Sequence, residues 1–269
     1  MALTLNFRKT GNGPLLVILH GLYGSSDNWI SIAKKLEERF TIYIPDLRNH
    51  GKSPHASTHT YQDMADDLFR FFKDHHLKEA VLLGHSMGGK LAMMFATEYP
   101  ELIKGLIVAD IAPKNYNSPD KPFKTVMQHE LILGLMEELN LVAVTSRKEI
   151  DYFLAAKLDN STLRQFLIKN IHRNKEGYFE WKINVPILKY ALSSITSEVN
   201  ADWFAGRKPI LNYPVTFIRG LNSDYITDHD LPLIKDIYPE ARVIDIPDAG
   251  HWLHAEQPEK FIEAVLSSV

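Results

Sequence analysis

The sequence predicts an α/β fold, a mostly parallel and doubly wound sheet with a helical cap inserted into it. Three observations carry that expectation. Between residues 15 and 109, short continuous apolar runs alternate with helical patterns, and runs of that kind belong to strands covered on both faces. From 113 to 209 the patterns are helical only. Two further strand-length runs and a helix then close the chain, so the helical block interrupts the sheet and does not follow it. Residues 1–112 and 210–269 are accordingly read as one core, and 113–209 as an inserted cap.

The elements follow in order. The opening residues alternate up to the turn Gly11-Asn12-Gly13-Pro14, after which 15–19 is the first fully apolar strand. Trp29, Ile32, Ala33 and Leu36 share one face of a helix. Residues 40–45 form the next core strand, and Thr60 caps a helix that buries Met64, Ala65, Leu68 and Phe72. A strand at 80–83, a helix at 90–99 stopped by Pro100, and a strand at 105–109 continue the alternation. In the cap, helical patterns cover 126–139, 147–158 behind a Ser146-x-x-Glu149 capping box, 163–171, and 187–195 after Pro186, with no strand between them. Residues 214–218 and 242–246 are the last strands, and a helix from Pro258 buries Phe261, Ile262 and Val265.

Composition narrows the function. With 269 residues, 45% apolar and 23% charged, the chain can bury a large core in one domain plus an insertion. A net charge of -3 offers no case for nucleic acid or an acidic membrane as partner. The absence of cysteine excludes disulfides, thiol catalysis and cysteine metal sites, and no cofactor or metal is expected. The first nine residues lack the basic-then-apolar pattern of a secretory signal, and the apolar runs are too short to span a membrane, so a cytoplasmic location is expected.

The chemistry centres on Gly84-His85-Ser86-Met87-Gly88, where a strand gives way to a helix. A turn this tight presses together the residues two before and two after the serine, so glycine is needed at both, and it lifts the hydroxyl clear of the sheet. A serine hydroxyl needs a base to take its proton. His251, in Asp248-Ala249-Gly250-His251-Trp252 after the last strand, is the expected base, with His254 as its substitute. His20, His50 and His85 read as hydrogen-bonded supports of their loops. An oxyanion formed by attack on a carbonyl needs two preorganised amides, which Met87 at the elbow and Leu22 in His20-Gly21-Leu22-Tyr23-Gly24 can supply.

The base in turn needs a carboxylate to orient it, and two strand ends offer one. Asp110 follows the strand after the elbow. Asp224 follows the next strand, but the usual spacing of glycine, two residues, then acid counts from Gly220 to Ser223 and leaves Asp224 one step late. The residues alone leave both open.

Taken together, His20 to Ser25, Asp46-Leu47-Arg48-Asn49-His50-Gly51, Gly84 to Lys90, Asp110-Ile111-Ala112-Pro113 and Gly250-His251-Trp252 resemble the α/β-hydrolase superfamily. More narrowly they resemble the small lidded esterases of the bacterial YbfF type and their mitochondrial abhydrolase relatives, and the likeness extends into the cap at 179–188. The resemblance implies an α/β-hydrolase fold and a serine esterase whose substrate is a small-molecule ester of a short acyl group or an acyl-coenzyme A thioester. It also implies a serine at the Ser223 position and the acid at Asp110. Leu221, where the group tends to have glycine, and Asp224 itself depart from the pattern.

Other readings share parts of this pattern. Gly84-x-x-x-x-Gly89-Lys90 fits a P-loop NTPase up to its last position, where Leu91 replaces the magnesium-binding Ser or Thr. A non-catalytic ligand-binding protein on the same scaffold would have no use for Ser86 with His251. Acyl transfer to an acceptor other than water, or carbon-carbon bond hydrolysis, would use the same triad. Residues 113–209 carry 14 Lys/Arg against 11 Asp/Glu, while the remainder carries 16 against 22, a polarity compatible with coenzyme A phosphates at the cap.

Overall fold

The structure is a computed structural model that describes residues 1–118, 121–122 and 124–269. The first half alternates as β1 (Phe7–Thr10), β2 (Leu15–Leu19), α1 (Ile30–Leu36), β3 (Thr41–Pro45), α2 (Tyr61–Asp74), β4 (Ala80–His85), α3 (Met87–Glu98) and β5 (Ile103–Ala109). The middle comprises a two-residue ladder of β6 (Asn117–Ser118) with β7 (Lys121–Pro122), then α4 (Lys124–Glu138), α5 (Arg147–Ala155), α6 (Ser161–Ile168), β8 (Ile171–Arg173), β9 (Phe179–Trp181), α7 (Val185–Ser197) and α8 (Ala201–Phe204). The chain closes with β10 (Val215–Gly220), α9 (Leu231–Ile237), β11 (Arg242–Ile246), α10 (Leu253–Glu256) and α11 (Pro258–Leu266).

Seven strands form one sheet in the order β1-β3-β2-β4-β5-β10-β11, with β1 antiparallel to β3 and the others parallel. Because successive side chains of a strand point to opposite faces, the apolar runs feed two cores at once. Val17, Leu82 and Val108 pack with Leu68, Phe72 and Phe95 of α2 and α3, while Ile18, Leu83 and Ile107 pack on the other face with Trp29, Leu36 and Phe261. Each such side chain contributes ~2 kcal/mol of burial, and both cores bring their largest rings under the strands that carry the site.

β5 and β10 are direct parallel neighbours, with Leu106 opposite Val215, so everything between them is an excursion that leaves the sheet at the end of β5 and re-enters it beside the start of that strand. The helices of this excursion follow the expected patterns, and Ser146 caps α5 by accepting from the Glu149 amide. One expectation is corrected. The helix anticipated over 163–171 ends at Ile168, and Ile171 opens a hairpin in which β8 pairs antiparallel with β9. Its turn is closed by Asn174, whose Oδ1 accepts from the Glu176 and Tyr178 amides, and by Gly177 at φ 91°. Strands of three residues are too short to display a two-residue period, so only the turn residues could have signalled them. Among the described residues, no helix is long and apolar enough to cross a membrane, and no group of three or more His, Asp or Glu is placed to hold a metal ion.

Candidate active site

The elbow joins β4 to α3 through Ser86, whose φ of 53° and ψ of -120° lie in a region that costs about 1–3 kcal/mol for a residue with a side chain. The surroundings hold that conformation by leaving it no room. A Cβ on Gly84 would lie 2.1 Å from the Gly88 carbonyl oxygen, and a Cβ on Gly88 would lie 2.4 Å from the Leu19 carbonyl oxygen. The Ser86 amide donates to the Ala109 carbonyl at 3.0 Å, which ties the turn to β5.

His251 reaches this serine from the loop after β11. Its Nε2 is 3.0 Å from Ser86 Oγ, and its Nδ1 is 2.8 Å from Asp110 Oδ2. Asp110 is fully buried at the end of β5, with φ 50°, and its carboxylate also accepts from the Gly220 amide at 3.2 Å and from the Ser223 hydroxyl. Burial pushes the Asp110 carboxyl up, opposed by those two hydrogen bonds. Burial likewise pushes the His251 imidazole down and keeps it neutral, the state in which Nε2 can accept a proton. Asp224 stands elsewhere: it is exposed, and among the described residues it makes no side-chain hydrogen bond or ion pair.

The remaining histidines are held by loops. His20 is buried, with Nδ1 donating to the Gly21 carbonyl at 2.9 Å and Nε2 accepting from the Leu47 amide at 3.0 Å. It thereby pins the Gly21–Leu22 loop to the end of β3. That loop lies against the serine, since a Cβ on Gly21 would be 3.2 Å from Ser86 Cβ. Among the described residues, neither the Leu22 nor the Met87 amide donates an intramolecular hydrogen bond, so both remain available to a ligand. His85 Nε2 donates to the His251 carbonyl at 2.8 Å and steadies the loop that carries the base. His50 Nδ1 donates to the Arg48 carbonyl at 2.9 Å, and His254 is buried in a stack on Trp29 with centroids 4.4 Å apart. His254 makes no hydrogen bond to Ser86, whose hydroxyl pairs with His251.

Tyr225 and His129 at the site carry no recognisable signal in the sequence, and Lys90 carries a misleading one. Tyr225 lies flat against the His251 ring, with centroids 3.6 Å apart and planes 9° from parallel. His129 of α4 bonds Tyr225 and Tyr23. Lys90, the lysine of the phosphate-loop reading, is buried on α3, and its Nζ donates to the carbonyls of Lys114, Thr196 and Glu198 at 3.0, 3.2 and 2.6 Å. It thus fastens both ends of the excursion to the helix that follows Ser86. Burial lowers its pKa to about 7. Two small cavities, of about 20 and 30 Å³, flank Ser86, one toward Trp252 and Phe166 and the other toward Lys90, Tyr116 and Ile195.

Comparison with known proteins identifies the fold family. The family model for the α/β-hydrolase fold matches residues 14–258. The solved structure of a marine microorganism esterase superposes with a TM-score of 0.93 at 45% identity, covering 100% of both chains. The sn-1-specific diacylglycerol lipase ABHD11 of Danio rerio is 35% identical over 97% of this chain and 80% of its own, and Esterase YbfF of Escherichia coli is 31% identical over 94% and 92%. An elbow serine between parallel strand ends, on a sheet of this order, in a chain that the family model matches over all the sheet's strands but β1, has one reading: the chain belongs to the α/β-hydrolase family and is a serine hydrolase of the esterase and lipase type.

Proposed function

We propose that the protein is a carboxylesterase that hydrolyses short-chain acyl esters through an acyl-enzyme. Ser86 Oγ attacks the acyl carbonyl while His251 Nε2 takes its proton, and the Leu22 and Met87 amides stabilise the oxyanion. Asp110 keeps the remaining imidazole proton on Nδ1 and stabilises the imidazolium. The proton passes to the leaving alkoxide, which departs as alcohol. Water then gives a proton to His251, attacks the acyl carbon and releases the acid with Ser86 restored. The observation that carries this reading is the unbroken chain from Asp110 Oδ2 to His251 Nδ1 at 2.8 Å and from His251 Nε2 to Ser86 Oγ at 3.0 Å.

Substrate size follows from the walls. In this reading residues 113–209 are a lid on a core made of 1–112 and 210–269, because Tyr116, Val126, His129, Phe166 and Ile195 of that segment line the two cavities. The enclosed space beside Ser86 is small, about 20 Å³ on one side and about 30 Å³ on the other, and such narrow walls suit a short acyl chain better than a long one. The lid's positive surplus makes coenzyme A thioesters the natural second class to assay.

The test is hydrolysis of p-nitrophenyl acetate and butyrate. Ser86→Ala and His251→Ala each lower kcat by about ten-thousand-fold or more. Undiminished turnover by either folded variant would refute the assignment. A panel that varies acyl length, with oxygen esters beside coenzyme A thioesters and with an added alcohol acceptor, then measures chain preference, thioester cleavage and acyl transfer separately.

A further inference from the structure

His129 has no role in the mechanism above, makes no hydrogen bond to Ser86 or His251, and yet lines both cavities. Its ring joins two residues that flank the reacting groups. Nε2 is 2.9 Å from Tyr225 Oη, and Nδ1 is 3.2 Å from Tyr23 Oη. A neutral imidazole has one donor and one acceptor nitrogen, and a tyrosine hydroxyl can take either part, so both bonds can exist together. Burial favours that neutral form.

Each partner bears on a different half of the site. Tyr225 covers the face of His251 at 3.6 Å, while the two hydrogen bonds of His251 lie in the plane of its ring, so the imidazole is held in three directions. The Tyr225 backbone is held as well, its carbonyl accepting from Tyr116 Oη at 2.6 Å. Tyr23 follows Leu22 directly in the oxyanion loop, with a left-handed φ of 64°, and its carbonyl accepts from Asn170 Nδ2 at 2.6 Å. Both tyrosines are thus anchored through side chain and backbone by residues of the 113–209 segment. His129 is the one side chain among these anchors that bonds both of them.

We propose that His129 is a positioning residue for ester hydrolysis: through Tyr225 it fixes the His251 ring, and through Tyr23 it fixes the loop carrying the Leu22 amide. The inference rests on the Ser86–His251–Asp110 reading. It means that the core presents the triad, but the inserted segment completes its alignment, so a docked lid and an aligned site are one state.

The test uses the full chain and p-nitrophenyl butyrate. His129→Phe fills the same space without either hydrogen bond and lowers kcat about 5- to 20-fold, with KM changed less than about twofold. Tyr225→Phe keeps the stacked ring and loses only the hydroxyl, and Tyr23→Phe does the same on the other arm; at least one reproduces part of the loss. Because the arms share the imidazole, adding the effective tyrosine change to His129→Phe slows turnover little further. His129→Gln, whose amide reaches the Nε2 position, recovers most of the Tyr225 arm. Wild-type kcat in His129→Phe, a change confined to KM, or fully multiplicative losses in the double variants would overturn the proposal. If His129→Phe does not fold, the two tyrosine variants decide, and wild-type kcat in both overturns it. Fluorophosphonate labelling separates the two readings. Persistent labelling and turnover in Ser86→Ala defeats the triad itself, whereas an inert Ser86→Ala beside a wild-type His129→Phe defeats only the positioning role.

Discussion

In the proposed mechanism the elbow and the acid corner serve the same reaction, but they are built in different ways. At the elbow, four consecutive peptide units do the work: a Cβ on Gly84 would lie 2.1 Å from the Gly88 carbonyl oxygen, and one on Gly88 would lie 2.4 Å from that of Leu19. At the acid corner, Asp110, Ser223 and His251 come from three separate strand ends, 113 and 141 residues from Asp110 along the chain. The first depends on local sterics and tolerates no change of size. The second depends on the sheet bringing β5, β10 and β11 side by side, and its chemistry resides in replaceable polar groups.

The largest expected effect tests the acid corner. Asp110→Asn keeps the shape but removes the charge and the tautomer control, and it lowers kcat about ten-thousand-fold, as read from p-nitrophenyl butyrate turnover. A structural break at the elbow comes next. Gly84→Ala forces the Gly88 carbonyl aside and destabilises the fold by about 3 kcal/mol, measured by urea unfolding, with a parallel loss of activity. An unshifted midpoint would show that the elbow has slack that the close approach denies.

Smaller effects sharpen the contrast. Ser223→Ala removes one of two hydrogen bonds that hold the Asp110 carboxylate besides that of His251, and about a tenfold loss in kcat is expected. The pH profile follows from burial of the base. His251 is active when neutral, and burial lowers its pKa from 6.5, so kcat/KM rises with pH through a midpoint below 6.5 and is lost as pH falls through it. A midpoint above 6.5 would show that the Asp110 charge outweighs burial. Asp224→Asn changes an exposed carboxylate and leaves kcat within about twofold. A large loss there would reverse the assignment of the acid.

The parts legible in the sequence are those whose reasons are local. Continuous apolar runs mark strands buried on both faces, and glycines two residues either side of Ser86 mark a turn that no side chain fits. The two amides, Leu22 and Met87, come with their loops, because backbone donors need no particular side chain. His251 stands out by its place after the last strand, and the fold brings its Nε2 to 3.0 Å from Ser86 Oγ. The 171–181 hairpin was not legible, because its strands are too short to be periodic, and neither were Tyr225, Tyr23 and His129, whose spacings of 106 and 96 residues match no repeat of helix or strand.

By itself the sequence determined the strand-helix alternation, the elbow, and the edge of the sheet at which histidine and carboxylate must appear, since each rests on burial or sterics within a few residues. Only the tertiary structure separates the surroundings of Asp110 and Asp224: both follow strands that end on the same edge, but Asp110 is buried within 2.8 Å of His251 while Asp224 faces solvent. The same holds for Lys90, whose motif suggested a phosphate and whose three carbonyl partners lie 24, 106 and 108 residues away. A charged or polar side chain is assigned by the partners that satisfy it, and partners so distant along the chain meet only when the fold closes.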